Sequence, residues 1–164
     1  MEERIHAYCW PLCRKFTFAE WRAYLREHPG SCSEPVATIN GWQYNIHGVC
    51  LNCEQVAEVK DTEGDYVRLK ICQEWRDKTG ADRTLVWAVH AEMSVGTWGA
   101  YNFSAPEYAR LEDRDSAVLA SLRWCRAVLL DRQAVTGEPY TSRFATMRAG
   151  VEAELDDKMQ LKLF

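Results

Sequence analysis

The sequence predicts an α+β fold: a helix-and-hairpin unit first, then an antiparallel sheet with one long packed helix, then a C-terminal tail. Three observations predict it. Asn40-Gly41 stands between two β-prone runs, and a two-residue hairpin turn wants φ > 0 at both central positions. Tyr66, Arg68 and Lys70 alternate with Val67, Leu69 and Ile71, the period of a half-buried strand. Val118, Leu122, Cys125 and Leu129 recur at helical spacing. The expected segments are 1–76, 77–137 and 138–164.

Taken in order, the first element is a helix opening at Thr17. Thr17-Phe-Ala-Glu20 is a capping box, in which the hydroxyl and the carboxylate each serve one orphan backbone amide. Phe18, Trp21, Leu25 and His28 line one face, and Pro29-Gly30 ends it. The hairpin about Asn40-Gly41 follows. Strands are expected over 55–60 and 65–72 about Asp61–Gly64, then over 84–91 and 97–104 about Gly96. The long helix should run from about Asp115 to Arg132. Beyond Gly137 and Pro139 only a short helix is expected, through Phe144, Met147 and Val151, with Glu154–Lys158 solvated.

The 164 residues are 47% hydrophobic and 12% aromatic, enough for a packed core and too rich for a disordered chain. No apolar run reaches the roughly 18–20 residues of a membrane span, and MEERIHAYCW lacks a secretory pattern, so a cytoplasmic location is expected. The net charge of −4 disfavours affinity resting on bulk attraction to phosphate. A local basic face remains open: Arg14, Lys15, Arg22 and Arg26 are DNA-contact candidates, with Trp10, Trp42 and Tyr44 nearby for base stacking. A solvated helix side and its core explain the same residues.

Seven cysteines in such a chain point to metal ligands or buried thiols before disulfides. Cys9-x3-Cys13 and Cys50-x2-Cys53 read as two knuckles, because a short spacer turns both sulfurs toward one tetrahedral ion. The expected site is therefore a structural Zn2+ held by Cys9, Cys13, Cys50 and Cys53, with Cys32 and His47 as possible replacements. Cys72 and Cys125 read as core.

Catalytic patterns are sparse. His90-Ala-Glu92 lacks the following Pro-Cys-x-x-Cys of zinc deaminases. Glu58-Val-Lys60 resembles the end of a metal-dependent nuclease motif, but Glu34 and Glu54 are poor candidates for its upstream acid. A non-enzymatic role is the expectation.

The sequence closes on Gln160-Leu161-Lys162-Leu163-Phe164, which resembles the bacterial sliding-clamp-binding motif Gln-Leu-x-Leu-Phe. Polymerases, mismatch-repair proteins and some replication initiators carry such peptides. The resemblance covers five residues and matches all four defined positions. It implies that Leu161, Leu163 and Phe164 fill the clamp's apolar cleft, that Gln160 hydrogen-bonds at its polar end, and that Lys162 faces solvent. The expected function is a bacterial, phage or plasmid accessory protein docked on the clamp, for recruitment to DNA replication or repair, or for inhibition. The alternatives are a metal-dependent DNA-processing enzyme delivered by the clamp, and an inhibitor of another host or defence complex.

Overall fold

The computed structural model describes residues 5–101 and 110–161. The chain forms two compact units, Met1–Cys53 with Cys72–Val86, and Glu54–Ile71 with Trp87–Phe164. Two strands each run from one unit into the other, so each unit is built from two separate stretches of chain.

The first unit opens with strand β1 (Ile5–Cys9), a single 3-10 turn (Trp10–Leu12) and β2 (Arg14–Thr17), paired antiparallel. Helix α1 (Phe18–Glu27) follows. Its capping box is formed in both directions: the Glu20 amide donates to Thr17 Oγ1 at 3.3 Å, and the Thr17 amide donates to the Glu20 carboxylate at 2.8 Å. Trp21 and Leu25 pack on a small core of Cys9, Phe16 and Ile46. Phe18, expected on that face, is 55% exposed because it is the first helical residue and turns away from the core. Strands β3 (Ala37–Ile39) and β4 (Trp42–Tyr44) make the predicted hairpin, with Asn40 at φ 49° and Gly41 at φ 85°.

The second unit is a sheet covered by two helices. Its strands are β5 (Glu54–Lys60), β6 (Tyr66–Trp75), β7 (Leu85–Val95), β8 (Trp98–Tyr101) and the short β9 (Arg110–Leu111), the last residues of β6 and first of β7 belonging to the first unit. The order is β5-β6-β7-β8, and β9 also pairs with β7. Expected strand residues beyond Tyr101 lie outside the described residues.

Helix α2 (Arg114–Val135) is capped by Asp113, whose carboxylate accepts the Ser116 amide at 2.8 Å. All four residues of its predicted stripe are buried. One long helix was expected, and there are two. Residues expected as a tail form α3 (Tyr140–Leu161), packed on α2 and β5. Phe144, Met147, Val151 and Leu155 are its buried side. Glu154–Lys158, expected to be simply solvated, is a helical turn with Leu155 turned inward and an ion pair of 3.1 Å between Glu154 and Lys158. Among the described residues, no helix is long and apolar enough to cross a membrane.

Candidate metal centre

The turn after β4 is built by Asn52. Its Oδ1 accepts the Gln43 amide at 2.7 Å and its Nδ2 donates to the Gly41 carbonyl at 3.0 Å, fastening residues 50–53 to the hairpin. Cys50 bridges to Tyr44 through the backbone, and the Cys53 thiol points back toward the Cys50 carbonyl at 3.6 Å. This is the short-spacer turn that the Cys-x2-Cys pair predicts. A third sulfur arrives from β6: the Sγ atoms of Cys50, Cys53 and Cys72 lie within 4.8 Å of one another.

Three sulfurs at that separation can hold a metal ion. A tetrahedral thiolate site with Zn–S bonds of about 2.3 Å puts its sulfurs roughly 3.8 Å apart, so modest side-chain adjustment supplies three of its four corners. Glu74 offers a further donor in the same unit. Its carboxylate lies within 4.8 Å of the Cys72 sulfur, is fully buried, and is ion-paired to Lys78 at 2.7 Å.

The electrostatics also suit a cation. Hydrogen bonding with Cys50 pushes the Cys53 thiol up to about 12, and burial and the Glu74 charge act in the same direction. Hydrogen bonds with Cys50 and Cys53, then burial, push Cys72 up as well. Burial is the main cause of the rise at Tyr44, whose hydroxyl donates to the Gln73 carbonyl. Several acids crowded together each resist ionising until a divalent cation replaces their protons.

Cys9 and Cys13, expected as ligands beside Cys50 and Cys53, are not among these three sulfurs. The β1–β2 hairpin holds Cys9 in the core with Phe16 and Ile46 and leaves Cys13 exposed, and the third sulfur is Cys72 instead. Cys72 was visible in the strand's phase. Cys72 is buried as expected, and strict alternation puts it on the side of Tyr66, Arg68 and Lys70, away from Val67, Leu69 and Ile71. Glu74 shares that phase, and both are buried. Cys125, by contrast, is core as expected, its thiol pushed up to about 12 by burial among the α2 stripe.

Lys15, Arg22 and Arg26 are exposed, and Arg14 pairs with Glu20 at 3.3 Å. Trp10 and Tyr44 are buried and pack edge to face at a centroid distance of 4.7 Å, so neither offers a stacking platform. Glu58 is held by Arg68 at 2.7 Å, a cation where a nuclease would need its metal. Glu92 accepts the Tyr66 hydroxyl at 2.7 Å and pairs with Arg68 at 3.5 Å. Gln160 and Leu161 are exposed at the end of α3, and Leu163 and Phe164 lie outside the described residues. Compared with protein-family models, curated proteins and solved structures, the chain matches none.

Proposed function

We propose that the protein is a non-enzymatic accessory protein that docks on the bacterial replication sliding clamp through Gln160-Leu161-Lys162-Leu163-Phe164, and that Zn2+ on Cys50, Cys53 and Cys72 holds its N-terminal unit together. The clamp reading is carried by the motif match at all four defined positions. The exposure of its first two residues, Gln160 and Leu161, supports it: Leu161 is 70% exposed, and Met159 just before the motif is 43% exposed. An apolar pair facing solvent at a helix end is available to a partner, whereas a terminus folded onto its own core would bury it.

Docking in an extended form requires the last turn of α3 to open. That is inexpensive, because the final carbonyls of a helix lack partners within it. A lone peptide of this kind binds at about micromolar strength, roughly −8 kcal/mol. Zinc suits the thiolate-rich donor set, and with the Glu74 carboxylate as fourth donor the site is closed and its role structural, the sulfurs joining segments distant in sequence. The ion pair between Glu58 and Arg68 disfavours the nuclease alternative.

Calorimetric titration of a bacterial sliding clamp tests the docking. The full chain and Leu161→Ala should differ by at least tenfold in affinity, and a chain ending at Met159 should show no binding. Equal binding by all three, or by none, overturns the clamp reading and leaves inhibition of another complex as the alternative.

A further inference from the structure

A second cluster of ligating side chains lies within the first unit and shares no residue with the centre described above. Cys32 Sγ and His47 Nε2 approach to 3.3 Å, although fifteen positions apart in sequence. Asn45 fastens their segments together. Its Nδ2 donates to the Cys32 carbonyl at 2.6 Å, and its Oδ1 accepts the amides of His47 at 2.9 Å and Val49 at 3.0 Å. Asn45 is itself buried, so this support is built into the fold.

The Cys9–Cys13 turn packs against the same segment. Cys9, Phe16 and Ile46 form one core, placing the residue before His47 in the cluster that contains Cys9. On the other side of His47, Gly48 lies so close to Trp10 that a Cβ there would fall 2.1 Å from the indole nitrogen. Trp21 joins the two segments again, its ring 5.3 Å from Phe16 and 5.5 Å from the His47 imidazole. The turn is shaped like a knuckle: the Cys13 amide donates to the Trp10 carbonyl at 3.1 Å, and Cys13 takes φ 53°, a left-handed conformation that a β-carbon disfavours. Residues held in such conformations cluster at functional sites.

From this juxtaposition of the Cys9–Cys13 turn with the Cys32–His47 pair, the geometry points to a second structural zinc site, with Cys9, Cys13, Cys32 and His47 as its ligands. Three thiolates and one imidazole are a closed tetrahedral set with no open position. No three of the four donor atoms yet lie within 4.8 Å of one another, so an ion would draw the Cys9–Cys13 turn onto the Cys32–His47 pair. Cys13, Cys32 and His47 are exposed, which leaves their side chains room to turn inward. The donors anchored by Asn45 then meet a knuckle whose first cysteine is already fixed in the core.

Zinc content of the purified full-length chain, measured by mass spectrometry, tests this. Two ions per chain are expected, falling to one in Cys32→Ser and to one in Cys72→Ser. His47→Cys should keep two ions and move the spectrum of the cobalt-substituted protein toward that of a four-sulfur site. One ion in the parent chain that survives Cys32→Ser overturns the second site and leaves the first standing. One ion lost in Cys32→Ser and kept in Cys72→Ser does the reverse. Two ions that both survive Cys32→Ser and Cys13→Ser also overturn the proposal. If Cys32→Ser unfolds and loses both ions, His47→Cys decides: an altered cobalt spectrum upholds the site and an unaltered one overturns it.

Discussion

Asp65 accepts Arg143 Nε at 2.7 Å, Arg143 Nη2 at 2.5 Å and the Gly96 amide at 2.8 Å, with its side chain almost wholly buried. Burial alone would raise its pKa. The Arg143 bonds, the Gly96 N–H and the Arg143 charge together outweigh burial and hold it below the ordinary 3.8. A carboxylate with a depressed folded-state pKa stabilises the protein above its unfolded value, and that contribution is lost as pH falls through the folded one. Asp65→Asn should therefore lower stability near neutral pH by about 2–3 kcal/mol, less than for a fully buried pair because Arg143 is partly exposed. Urea unfolding at pH 7 and pH 3 checks it: the gap between parent and variant should shrink at the lower pH. A gap of equal size at both would show that packing, and not charge, carries the effect.

At the scale of elements, α3 meets β5 at a glycine. A Cβ on Gly150 would lie 2.4 Å from Val59 Cγ1, so the helix and strand approach through the missing side chain. Gly150→Ala gains roughly 1 kcal/mol of helix propensity. It also overpacks the contact, at a cost of about 1–3 kcal/mol. The net expectation is a lower melting temperature, read by thermal unfolding; an increase would mean that Val59 yields easily. Which elements were legible follows from how local their signals are. The Thr17 capping box, the Asn40-Gly41 turn and the α2 stripe are each written within a few neighbouring residues, and each formed where expected. The length of α3 was not legible, because Glu154, Asp156, Asp157 and Lys158 surround the single inward residue Leu155 and mask the stripe. In the metal centre, Cys50 and Cys53 were paired by spacing, whereas Cys72 arrives through β6, a contact no short window contains.

For the whole molecule, the first unit is discontinuous: the chain leaves it after Cys53 and returns at Cys72. An ion on Cys50, Cys53 and Cys72 therefore closes residues 54–71 into a loop, much as a disulfide would. Closing a loop of about that length removes roughly 3 kcal/mol of unfolded-state entropy. Removing metal with a chelator should lower the melting temperature of the full chain by about 6–12 °C by that contribution alone, while Cys72→Ser should show little further drop on chelation at this centre. A full-sized drop in Cys72→Ser would place the stabilising ion elsewhere. The phase of β6 carries one more consequence. Residues 66, 68 and 70 face one way beside β5, paired as Lys60 with Tyr66 and Glu58 with Arg68, and residues 72 and 74 continue the same side. Slipping the strand by one residue would turn Gln73, in place of Cys72, toward the Cys50–Cys53 turn. A mispaired sheet would therefore offer an ion two sulfurs where the correct one offers three, so metal binding at this turn would favour the correct register.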